Sequence, residues 1–159
     1  MIVIGYQGIG KSTLSKSSNE YIDLESGNFW VDGKRADDWY KPYCNIAIDL
    51  SSQGYIVFVS SHEAVRKCFL ENGDLNEQVV TVVPDLKLKE QWIEKLWQRF
   101  NNSKLEKDYK AYMNALGRYD ENIYEVNQDG SALDGAIVLK SMDYDLDAIL
   151  QKEKILSKI

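Results

Sequence analysis

The stretch IVIGYQGIGKST, residues 2–13, constrains the fold more than any other part of the chain. Ile2, Val3 and Ile4 are consecutive β-branched residues, which suits a strand buried on both faces. Gly5, Gly8 and Gly10 follow at short intervals and allow backbone conformations closed to other residues. Lys11, Ser12 and Thr13 then open a helix. Gly5, Gly10, Lys11 and Ser12 complete the spacing G-x-x-x-x-G-K-S/T. In that pattern a glycine loop turns its amides inward around phosphate, and the lysine and hydroxyl follow at the helix start. The phosphate-binding residues expected here are Gly5, Gly8, Ile9, Gly10, Lys11, Ser12 and Thr13. In that pattern Lys11 can reach the β- and γ-phosphates, the Ser12 hydroxyl can bind magnesium, and Thr13 can contact the α-phosphate.

Four further apolar runs recur along the chain: EYIDLE, GYIVFVSS, QVVTVVPD and GAIVLKS. Continuous runs of this kind mark strands covered on both faces, and helical segments lie between them. The expected class is therefore α/β with a mostly parallel sheet. Pro42 fits the first turn of one helix. Ser60 with Glu63 and Ser103 with Glu106 read as capping boxes, and Gly73 and Gly117 as helix stops. About fifty residues between the fourth and fifth runs look wholly helical, too long for a simple crossover. The expected organisation is one domain over 1–159, with a helical element at about 86–135 over the carboxyl ends of the strands.

The net charge of −6 argues against long nucleic acid as a partner, since that binding needs a basic face. No run is long enough to cross a bilayer, and no basic segment precedes the first strand. Cys44 and Cys68 belong to no C-x-x-C pair and read as free thiols in a reducing, cytoplasmic setting. His62 is the only histidine, which disfavours a histidine-based metal site.

Gly5, Gly8 and Gly10 together give G-x-x-G-x-G-K-S-T, which resembles the small P-loop kinases acting on nucleosides, nucleotides, shikimate or gluconate, including phage-type members. The guanine-specific motifs of regulatory GTPases are missing. The resemblance implies a P-loop NTPase three-layer sandwich, with a five-stranded parallel sheet in the order 2-3-1-4-5 and a helical lid between strands 4 and 5. It implies an ATP- and Mg2+-dependent phosphotransferase. The acceptor would be a small hydroxyl- or phosphate-bearing molecule, foremost a nucleoside or (deoxy)nucleoside monophosphate. A P-loop ATPase or GTPase switch and a non-catalytic nucleotide-binding module are the alternatives.

Ligands of an open parallel sheet gather at the carboxyl ends of its strands. Asp23 and Glu25 fall there, two residues apart, and in similar kinases a carboxylate at this place positions the acceptor or supports the metal. The third strand ends in Ser60 and Ser61, where many P-loop enzymes carry an aspartate; Asp85 reads instead as a helix start. Of four arginines, the resemblance assigns Arg66 to the acceptor's phosphate, and Arg99 and Arg118 to the lid. Arg35 reads as part of a solvated loop. Phe29, Trp30 and Trp39 lie in the acceptor region but suit packing better, and adenine is expected near Lys140, Ser141 and Met142.

Overall fold

The computed structural model describes residues 1–26, 30, 31, 34–72 and 75–157. In chain order it contains β1 (Ile2–Gly5), α1 (Lys11–Ser17), β2 (Tyr21–Asp23), β3 (Trp30–Val31), β4 (Lys34–Arg35), α2 (Tyr40–Ser52), β5 (Ile56–Ser60) and α3 (Glu63–Glu71). There follow β6 (Val79–Pro84), a 3₁₀ turn at Leu86–Leu88, α4 (Lys89–Ser103), α5 (Glu106–Ala132), β7 (Ala136–Leu139) and α6 (Leu146–Leu156).

Five strands form one all-parallel sheet in the order β2-β5-β1-β6-β7. Counting only these strands, the order is 2-3-1-4-5, as expected. The remaining two strands form a short antiparallel hairpin between β2 and α2. The first strand is central: Ile4 lies level with Val59 on one side and Thr81 on the other. Its apolar residues are buried because helices cover both faces of the sheet. On one face Val3, Phe58, Val80 and Val82 pack with Trp92, Leu96, Tyr119, Ile123 and Leu150. On the other, Ile2, Ile4, Val57 and Val59 pack with Trp39, Tyr43, Ala47, Val65 and Phe69. No helix among the described residues is long and apolar enough to cross a membrane.

The helical boundaries correct several local expectations. His62, not Ser60, caps α3: its Nδ1 accepts from the Ala64 amide at 3.1 Å. Ser60 remains the last residue of β5, and its hydroxyl accepts from the His62 amide at 3.1 Å. Ser103 and Glu106 form no capping box either. The Ser103 hydroxyl accepts from the Leu105 amide at 3.1 Å and donates to Asp108. The stop expected at Gly117 is met in part: helical geometry breaks at the next residue, Arg118, with φ −138° and ψ 23°, and α5 is two helices joined at this kink, the second running on to Ala132. Gly73 lies outside the described residues. Asp85 starts the 3₁₀ turn as expected, its carboxylate accepting from the Lys87 amide at 2.9 Å.

The kink divides the helical segment between β6 and β7. Beyond it, Tyr119, Ile123, Val126 and Gly130 are buried on the sheet, so this half of α5 is the crossover helix. Gly130 permits the approach, because a Cβ there would sit 2.0 Å from Thr81 Oγ1. Only α4 and the first half of α5 stand over the strand ends.

Candidate functional site

The loop between β1 and α1 opens into a cavity of about 920 Å³ at the carboxyl edge of the sheet. Gly8 and Gly10 have φ of +88° and +107°, conformations that L-residues rarely adopt. The loop is also closely backed. A Cβ on Gly8 would lie 2.9 Å from Leu96 Cδ2 and 3.2 Å from Trp92 Nε1. Gly10 caps α1 with no side-chain hydrogen bond, so no side chain serves as its cap at this end.

Side chains from later in the chain fix two loop carbonyls. Trp92 Nε1 donates to the Gln7 carbonyl at 2.9 Å, and the Tyr144 hydroxyl donates to the Ile9 carbonyl at 2.7 Å. Gln7 Nε2 in turn donates to the Ala111 carbonyl at 3.2 Å, tying the loop to α5. Lys11 Nζ donates to the Gly5 carbonyl at 3.0 Å. Burial holds the Lys11 ammonium below its ordinary pKa, opposed by the nearby charges of Asp23 and Glu25.

Gly8, Ile9, Gly10, Lys11, Ser12 and Thr13 all line the cavity, and so do Asp23 and Glu25. Gly5 sits behind them as the last residue of β1, where an added Cβ would strike Ile9 Cδ1 at 2.5 Å. Asp23 ends β2, and burial raises its carboxyl pKa; the Lys11 charge opposes this, while Glu25 adds to it through its charge and a shared hydrogen bond. Glu25 is also 3.9 Å from Lys107 Nζ, reaching across from α5. Ser60 and Ser61 occupy the end of β5 within the same cavity.

Of the three arginines assigned from the resemblance, the structure brings one to the cavity. Arg99 lines it from α4, and its Nε lies 3.0 Å from Asp108 Oδ1. Asp108 is itself buried and also accepts from Ser103. The structure places Arg66 away from the cavity. Its side chain is 8% exposed and turned to α5, where it pairs with Asp129 and lies 3.7 Å from Glu125. Its Nε donates to the Ser61 carbonyl at 2.9 Å, so the guanidinium is spent on linking α3, β5 and α5. Arg118 is also placed away from the cavity. It stands at the exposed kink of α5, pairs with Glu121 at 3.1 Å, and does not line the cavity.

Met142 lines the cavity where the segment after β7 was expected to meet a base, whereas Lys140 pairs with Asp85 at 3.0 Å outside it. Trp39 is buried against Tyr40, Tyr43 and His62, a packing role. Phe29 lies outside the described residues. Cys44 and Cys68 are free thiols, one buried and one half-buried in the same apolar cluster.

Sequence reasoning missed Lys95, Lys107, Asp108 and Tyr144, which all line the cavity. One signal was available for Lys95. It precedes Arg99 by four residues, so the two cations share a face of α4.

No cluster of three or more histidine, cysteine or acidic side chains suited to a metal occurs among the described residues. Magnesium needs no such cluster, because it keeps waters and takes few protein oxygens beside substrate phosphates. The Ser12 hydroxyl and the carboxylates of Asp23 and Glu25 share the cavity and have the oxygen chemistry that this mode uses.

The fold and the cavity define an α/β protein with a five-stranded parallel sheet and a glycine-loop site at its carboxyl edge. No protein-family model matches the chain, and no curated protein matches it significantly.

Proposed function

We propose that the chain is a small P-loop kinase: a phosphotransferase that uses Mg-ATP to phosphorylate a small acceptor. One observation carries this reading. The complete G-x-x-x-x-G-K-S spacing forms a strand–loop–helix whose lysine shares a single large cavity with the β2 carboxylates and with Arg99.

In this reading the amides of the glycine loop bind the phosphate chain, and Lys11 and Arg99 offset the charge that builds on the transferring group. The Ser12 hydroxyl would hold magnesium, which would supply charge neutralisation at the phosphates. Asp23 orients the acceptor hydroxyl and takes its proton as the oxygen bonds to the γ-phosphorus and the bond to ADP breaks. Asp108 holds Arg99 in place. The helices α4 and α5 exclude water from the reacting groups.

The hydroxyl-bearing acceptor is the favoured branch. The β2 end offers two carboxylates, while Arg66, the cation assigned to an acceptor phosphate, is engaged elsewhere. A nucleoside is the leading class, ahead of a nucleoside monophosphate.

The test is phosphorus NMR of Mg-ATP with a panel of nucleosides, their 5′-monophosphates and small polyols. Transfer to one acceptor, lost in Lys11→Met, supports the reading. Slow release of inorganic phosphate with no acceptor labelled supports an ATPase, and tight binding without turnover supports a nucleotide-binding module.

A further inference from the structure

Lys95 lines the cavity from α4, and its ammonium has no carboxylate partner among the described residues. Its described contacts are aromatic and neutral. Nζ stands 4.3 Å from the centroid of the Trp92 ring and 5.2 Å from that of Tyr144. It donates to the Tyr144 hydroxyl at 3.0 Å. The two rings stack on one another, with centroids 6.0 Å apart and planes 24° from parallel.

A half-buried ammonium with no carboxylate paired to it among the described residues is an unbalanced charge, even though carboxylates line other parts of the cavity. Cation–π contact and one neutral hydrogen bond recover part of the lost hydration. An anion entering the cavity would supply the rest. The other cationic groups lining the cavity, Lys11, Arg99 and Lys107, have carboxylates beside them: Asp23 and Glu25 for the first, Asp108 for the second and Glu25 for the third.

The same two rings hold the glycine loop. The Tyr144 hydroxyl has one hydrogen, which goes to the Ile9 carbonyl, so towards Lys95 the phenol oxygen can only accept. Trp92 gives its single N–H to the Gln7 carbonyl. Thus the side chains that seat Lys95 also hold the loop carbonyls of Gln7 and Ile9.

We infer that Lys95 is a second phosphate-binding cation of this site, facing the phosphate chain of the nucleotide from α4. Tyr144 is its positioning residue and joins it to the loop through Ile9. The inference rests on the phosphotransferase reading and adds to it a residue for which that reading has no use. The recognised group is a pyrophosphate or triphosphate chain, not the base.

The experiment is calorimetric titration of the full chain with Mg-ATP and, separately, with magnesium pyrophosphate. Lys95→Met should weaken both by a similar factor, about tenfold, as expected for one charge-assisted phosphate contact. It should also reduce the salt dependence of binding. Lys95→Arg should restore most of the affinity. Tyr144→Phe should weaken binding by about threefold, and Lys95→Met should then cost less than it does with Tyr144 present, because the two act as a unit.

Wild-type affinity in Lys95→Met overturns the inference. So does a loss that Lys95→Arg does not restore and that follows a lowered thermal midpoint. A wild-type chain that binds neither Mg-ATP nor pyrophosphate overturns the phosphate-site reading itself.

Discussion

Arg66 closes on Asp129, joining the helix after β5 to the last turns of α5 across 63 positions of sequence. Its Nε meanwhile holds the carbonyl of Ser61, at the rim of the cavity. Removing one partner leaves a poorly solvated charge, and breaking such pairs costs several kcal/mol when burial is complete. Asp129 keeps 26% exposure, which reduces the penalty. Arg66→Met should therefore destabilise the fold by about 2 kcal/mol in urea unfolding. Affinity for Mg-ATP should change little, and loss of acceptor binding without loss of stability would return Arg66 to the site.

Two glycines are required for different physical reasons. Gly8→Ala places a side chain in left-handed backbone and against Leu96 and Trp92. The conformational part alone costs about 1–2 kcal/mol, and the loop must shift, so Mg-ATP affinity should fall together with stability. Gly130→Ala meets Thr81 at a helix–sheet contact remote from the loop. It should cost about 2 kcal/mol or more in stability, because backbone must move in a packed core. Tight Mg-ATP binding should survive in the folded fraction. Chemical denaturation and titration of both variants separate the two cases.

The raised carboxyl pKa of Asp23 sets a pH dependence. Because its folded-state pKa lies above the unfolded one, the folded chain holds more proton between the two values. Stability from this group is thus lost as pH rises through that window, and at neutral pH the ionised Asp23 is a net cost. Asp23→Asn should have a higher thermal midpoint than wild type at pH 7, with the difference shrinking on acidification below the window. Phosphotransfer should follow the opposite course: it rises with pH as Asp23 ionises, and the Asn variant loses it. A flat difference in midpoint across pH removes the cause assigned to the shift.

Arg99 and Arg118 make a matched pair for kinetics. Arg99 lines the cavity and is held by Asp108, whereas Arg118 pairs with Glu121 on the exposed surface. Asp108→Asn should free Arg99 and reduce the transfer rate by about tenfold, since misplaced charge stabilisation is felt mainly in the transition state. Arg118→Ala should leave both the rate and the Mg-ATP affinity unchanged. Steady-state kinetics with the acceptor found above decides between them, and an inactive Arg118→Ala would mean that the α5 kink swings inward during turnover.

The runs of β1, β5 and β6 were legible because each is short, continuous and rich in β-branched residues, a pattern with few alternatives once glycines and helices flank it. The loop residues were legible because left-handed backbone at Gly8 and Gly10 excludes nearly every other residue. The helix ends were not. Ser60 carries the residue type of a cap, yet β5 extends through it and the cap passes to His62. Gly117 marks a break that local residue type does foretell, but not its outcome: the chain turns at Arg118 and resumes as a helix, because the apolar stripe beyond has a sheet face to cover.

The sequence by itself determined an alternating α/β chain whose first strand runs into a glycine loop, because those features depend on backbone freedom and on periodicity within a few residues. Which side chains meet at that loop was decided only by the tertiary structure. Arg66 and Lys95 are both cations on helices beside the sheet, and nothing local distinguishes them. The packing of α5 places Asp129 against Arg66 and removes that charge from the cavity. The packing of α4 over the loop leaves Lys95 on two aromatic rings beside it, with no carboxylate paired to it among the described residues. The fate of a charge depends on what the fold brings within a few ångströms of it, because electrostatic and desolvation energies follow distance and burial and not position in the chain.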